Sequence, residues 1–185
     1  MKYLLQIFAA FIIITAFNSC GYNQIVELGE AANSQWGAVE AVYQRRADLV
    51  PKLVQLAQQS GVSQSSINQL ENARKAAAIS LKPEELTSDN ISKYNELQGK
   101  LGKALNNFTG EVSKQANFDQ RSLSDFMALA EGTENRIRVE RNKFNSAVSK
   151  YNAYIKKVPQ NFTSGMMGFD EKAYFEAEKG AGSVK

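Results

Sequence analysis

The chain has no histidine, a single cysteine, three prolines and one tryptophan among its 185 residues. Without histidine there is no Ser-His or Cys-His nucleophile, no zinc site of the usual kind and no Glu-x-x-His ligand pair for a di-iron bundle. An enzyme built here would have to work from carboxylates alone, and Glu84 and Glu85, the most obvious pair, read as caps in a turn. The expectation is therefore a non-enzyme with no catalytic residue, metal ligand or cofactor. A lone cysteine cannot form an internal disulfide, so packing must supply the stability. Net charge is only +3, with bases and acids intermixed. Even "RIRVERNK" alternates Arg136, Arg138, Arg141 and Lys143 with Glu140, and reads as a solvated, salt-bridged face after Glu134 rather than a nucleic-acid surface. No β-like alternation of useful length occurs either.

What is present is helical periodicity. Ile25, Leu28, Ala32, Trp36, Val39, Tyr43, Val50, Leu53 and Ala57 recur at three- and four-residue steps, as the buried face of a long first helix does. Gly61 ends it. Val62 and Ile67 flank Ser63 like a staple around an N-cap and open a second helix through Leu70, Ala73 and Ala77. A third carries Ile91, Tyr94, Leu97, Leu101, Leu105, Phe108 and Val112; a fourth, from about Ser122 to Val158, carries Leu123, Phe126, Ala130, Ile137, Phe144, Val148, Tyr151 and Ile155 before Pro159. The fold class expected is all-α: an antiparallel up-and-down four-helix bundle with long first and fourth helices and a C-terminal tail. Pro51 stands in mid-pattern in "RRADLVPKLV", cannot donate to the Ala47 carbonyl and predicts a kink.

The N-terminus reads differently. "MKYLLQIFAAFIIITAFNSC" has Lys2, then an apolar stretch from Tyr3 to Phe17, then a small residue, Ser19, before Cys20. The stretch is short of the roughly 20 residues that cross a bilayer and suits a secretory signal. Cys20 following it resembles a bacterial lipobox, in which the thiol is acylated and becomes the mature N-terminus. The domain reading is a signal peptide over residues 1–19, a helical bundle over 20–158 and a tail over 159–185 partly docked on the bundle. A single uncleaved N-terminal transmembrane anchor is the alternative.

Charged residues interrupt the apolar stripes. Arg46 falls between Tyr43 and Val50, and Arg141 between Ile137 and Phe144, with Glu134 near the same face. Three readings stand: arginines snorkelling to water, a buried polar layer joining first and fourth helices, or a ligand site.

"QWGAVEAVYQRRADLVPKLVQLA", "LENARKAA", "TENRIRVERNKFNSAVSKYNAYIKKVPQNF" and "GFDEKAYFEAEKGA", in that order, resemble the LemA family, as does "GYNQIVEL" after Cys20. The resemblance implies a membrane-attached, all-helical bundle and supplies no catalytic residue. Where many relatives have a His-Glu pair after the first helix this chain has "SGVSQSS", and "SKQANFD" replaces a Tyr-Pro turn. The function expected is a lipoprotein scaffold or adaptor of the bacterial cell envelope, held to membrane by lipid on Cys20 and facing a protein partner. The alternative is an envelope sensor with a polar pocket around Arg46, Glu134 and Arg141. Finally, "NFTSGMMGFDEKAYF" keeps many large apolar groups beyond Pro159. Residues 160–176 are expected to fold back over the end nearest Cys20, with Phe169 and Phe175 covering Ile25, Leu28 and Ile155, or else to insert into lipid.

Overall fold

The computed structural model describes residues 2–58 and 60–175, with side chains from residue 21 onward. The signal peptide and the lipidation at Cys20 therefore lie outside the described side chains. The fold is all-α and bundle-like. Its helices are α1 (Lys2–Ala47), α2 (Leu49–Ala57), α3 (Gln64–Ala77), α4 (Ser88–Val112), α5 (Gln120–Ile155) and α6 (Gln160–Met167), with a 3-10 turn at Pro83–Glu85. The long helices α1 and α5 pack antiparallel, and α3 pairs with α4.

Local chemistry sets these boundaries. The first helix of the sequence reading is two helices: α1 stops at Ala47 and α2 resumes at Leu49. Pro51 has no N–H to give the Ala47 carbonyl, so the helical ladder is interrupted there. Asp48 keeps a right-handed helical backbone, φ −72° and ψ −13°, and the chain stays close to its course. Gly61 ends the segment with φ +80°, a conformation that glycine adopts at no steric cost. Ser63 caps α3 by accepting from the Ser66 N–H at 3.1 Å. Thr87 and Asp119 cap α4 and α5 in the same way, each saving otherwise unpaired first-turn donors. Glu85 is part of the Pro83–Glu85 turn and accepts from the Lys82 N–H at 2.8 Å.

Two apolar cores are stacked along the bundle. One is largely aliphatic: Val50, Leu53, Val54 and Ala57 of α2, Ile67 and Leu70 of α3, Leu101, Leu105 and Val112 of α4, with Leu123 and Phe126 of α5. The other is aromatic: Trp36 and Tyr43 of α1, Tyr94 of α4, Phe144 of α5 and Phe175 of the tail. A smaller cluster, Ile25, Tyr151 and Ile155, with Phe169 against it, closes the end nearest residue 21.

After Ile155 the chain departs from expectation twice. Residues 160–167 form α6, which the sequence pattern did not predict. Phe169 does pack against the cluster of Ile25, Tyr151 and Ile155, but Phe175 travels further and enters the aromatic core beside Trp36. The reason is the direct path from Gly168 along α5, which carries residue 175 well past the bundle end.

Candidate functional site

Between the two cores lies a polar layer, and Arg46 is its centre. The spacing Tyr43, Arg46, Val50 turns Arg46 inward, and it is only 5% exposed. Its Nη1 donates to Glu134 Oε1 of α5 at 3.0 Å. Its Nη2 donates to the Gln98 carbonyl and, at 3.0 Å, to Gln98 Oε1 of α4. Gln98 Nε2 in turn donates to the Ala77 carbonyl, at the end of α3, at 2.9 Å. One guanidinium thus ties α1 to α4 and α5, and Gln98 extends the tie to α3. The Arg46 guanidinium carbon also sits 5.0 Å from the Tyr43 ring centre. Gly102 makes room for it: a Cβ there would lie 3.2 Å from Arg46 Nη1.

The layer is asymmetric. Glu134 is half exposed, 49% at its side chain, so water and salt reach the outer end of the ion pair. The inner end, at Gln98, is buried. Arg46 Nε has no partner there among the described residues.

Arg141 does not join Arg46 and Glu134. Its guanidinium carbon lies 4.6 Å from the centre of the Phe175 ring, where it covers the tail's aromatic side chain. The polar pocket expected around these three residues is thus divided into a layer and a socket. A cleft of about 310 Å³ reaches Tyr43, Glu40, Tyr94 and Gln98, but Arg46, Glu134 and Arg141 do not line it. Among the described residues no group of His, Cys, Asp or Glu could hold a metal ion.

The socket is built around the tail. Phe175 stacks on Trp36 at 5.5 Å and 21°, and meets Phe144 and Tyr94 edge-on at 6.0 and 6.4 Å. Two asparagines of α5 hold the tail's main chain. Asn145 donates to the Phe175 carbonyl at 3.0 Å and accepts from its N–H at 2.8 Å. Asn152 does the same for Lys172, with both bonds at 2.9 Å. The asparagines are two helical turns apart, about 10.5 Å at 1.5 Å per residue. Three residues of extended chain cover about 10 Å, so the two repeats match. Lys172 is fixed further by a 3.0 Å bond to Asn33 Oδ1 of α1. Burial lowers its ammonium below the ordinary lysine value, with Glu30 opposing, and burial raises the Tyr94 phenol.

Glu140 corrects another expectation. It is paired but not solvated: only 3% exposed, it accepts from Gln35 of α1 at 2.8 Å and pairs with Arg136 at 2.7 Å and Lys143 at 3.2 Å. Burial works against its ionisation, yet the hydrogen bonds from Lys143 and Gln35 and the two positive charges prevail, and the carboxyl sits below its usual range.

Sequence reading missed Gln98, Asn145 and Asn152. A signal for Gln98 existed: the observed stripe, Ile91, Tyr94, Gln98, Leu101, Leu105, Phe108, Val112, alternates steps of three and four strictly, whereas taking Leu97 breaks that rhythm. The heptad spacing of Asn145 and Asn152 beside the apolar stripe was the corresponding clue on α5.

Fold and site together define an all-helical bundle with a buried arginine layer. Residues 35–185 match the LemA family model, and the chain belongs to the LemA family. No curated protein matches it in sequence.

Proposed function

We propose that this chain is a non-enzymatic lipoprotein of the bacterial cell envelope, held to membrane by lipid on Cys20, whose bundle serves as a scaffold or adaptor for a protein partner. The observation that carries this reading is α6 and its approach. Val158, Phe162, Met166 and Met167 are 75%, 67%, 85% and 60% exposed. They gather at the end of the bundle where α6 packs on α1, with Gln160 against Gly21. An apolar group of this kind, at the bundle end near residue 21, which in sequence follows the apolar run at residues 3–17, suits a face resting on lipid, with Lys156 and Lys157 exposed beside it. Among the described residues no helix is long and apolar enough to cross a membrane. One acyl chain alone binds weakly, so a second contact of this sort strengthens the hold.

The test is labelling of cells with a fatty-acid analogue. The unmodified chain takes the label and Cys20→Ala does not, while Phe162→Glu with Met166→Glu keeps the label but is stripped from membranes at lower detergent. Equal labelling of Cys20→Ala removes the lipoprotein reading.

A further inference from the structure

Residues 170–175 are held in the manner of a bound peptide. We propose that the groove between α1 and α5 is a receptor site for an extended segment of a partner protein, one that presents an aromatic side chain, and that the chain's own tail is its resident, releasable ligand.

The recognition chemistry is general rather than tied to the tail's sequence. Asn145 and Asn152 each address one N–H and one C=O of the main chain, which every non-proline residue offers. A flat strand turns alternate residues to one side, so a clamp at residues three apart selects a twisted extended peptide. Side-chain selection falls on one position, where Trp36, Phe144, Tyr94 and Arg141 surround the Phe175 ring.

Three features set this groove apart from an ordinary packed connection. The tail is fastened along α5, but an open cleft of about 870 Å³ separates it from the turn at Pro83–Ser88. Of residues 170–175 only Phe175 is buried; Glu171 and Tyr174 are exposed. Trp36 Nε1, a buried donor in the socket residue itself, has no acceptor among the described residues. Buried indole N–H groups are normally paired, so the described residues of the tail leave this one donor open to a partner's acceptor.

This names the partner chemistry of the adaptor reading and is independent of membrane attachment, because it is measured without lipid. An outside peptide must compete with a tethered one present at an effective concentration on the order of millimolar, so the socket is best probed with its own anchor trimmed. The full chain carrying Phe175→Ala is titrated with the peptide GFDEKAYFE while the emission of Trp36, the sole tryptophan, is followed. The expected result is a saturable change, at least about tenfold weaker with GFDEKAYAE and weaker again when the chain also carries Asn152→Ala. No saturable change, or equal binding of both peptides, overturns the proposal. Should Phe175→Ala not fold, hydrogen exchange on the unmodified chain decides the matter. Lys172 and Phe175 amides opening at least about 100-fold more often than those of Val148 and Tyr151 support a releasable tail, and opening at the common rate refutes it.

Discussion

The aliphatic and aromatic cores share α4 and α5 yet are closed in different ways. Below the Arg46 layer, Leu53, Leu70, Leu101 and Val112 belong to one cluster that α2, α3, α4 and α5 close among themselves, with Phe118 of the short α4–α5 connection. Above it, Trp36, Tyr43, Tyr94 and Phe144 leave space that Phe175, from the far end of the chain, fills. The division can be followed on each helix: Tyr43, Arg46 and Ala47 on α1; Tyr94, Gln98 and Leu101 on α4; Ile137, Glu134 and Phe126 on α5. A bundle can thus carry one self-sufficient half and one half completed by an added segment, with a charged plane between them.

The largest expected effect separates the two halves. Phe175→Ala should cost about 3–5 kcal/mol and Leu101→Ala about 2–5 kcal/mol in urea unfolding. Only the first should alter native Trp36 emission; a native shift from Leu101→Ala would mean that the cores are not separate. Arg46→Met, which leaves both Gln98 oxygens short of a donor, should cost about 1–3 kcal/mol. Double-mutant cycles then sharpen the asymmetry of the layer. Coupling of Arg46 to Gln98, measured with Gln98→Leu, should exceed that of Arg46 to Glu134, measured with Glu134→Gln, which should be about 0.2–1 kcal/mol and shrink with added salt. Equal, salt-independent couplings would contradict the half-exposed position of Glu134.

The smallest effect concerns acid. The folded Glu140 carboxyl ionises below its ordinary value of about 4.3, so in that window the unfolded chain binds more protons. Its contribution is fully present above about pH 4.3 and is lost as pH falls through the lowered folded value. Glu96 and Asp119 are lowered as well, so the informative quantity is the difference between the unmodified chain and Glu140→Gln. That variant should show a shallower loss of stability with acid; an unchanged slope would mean that Gln35, Arg136 and Lys143 do not favour the ionised form.

The helices were legible because Leu, Ile, Val and aromatic residues repeat at the period of the backbone, and Ser63 and Gly61 mark a start and an end. Arg46 stood out as a charge on an apolar stripe. Gln98 and the two asparagines were harder to see, because an uncharged polar residue beside a stripe gives no sign of whether it faces water or a main-chain partner far along the chain. The contact of Arg141 with Phe175 was hidden for a related reason. Helical phase places Arg141 on the inner face of α5, but only the path of the tail after Gly168 brings Phe175 beneath it. Hydrophobicity marked Phe169 and Phe175 as core-bound without saying how far along the bundle each would land.

Hydrogen exchange of Phe175→Ala against the unmodified chain tests most directly whether the tail completes one half and not the other. The account predicts faster exchange concentrated in residues 32–43 of α1 and 141–152 of α5, with residues 98–112 of α4 and those of α3 little changed. An equal acceleration across all the helices would contradict it, because the bundle would then have a single core that depends on Phe175 throughout.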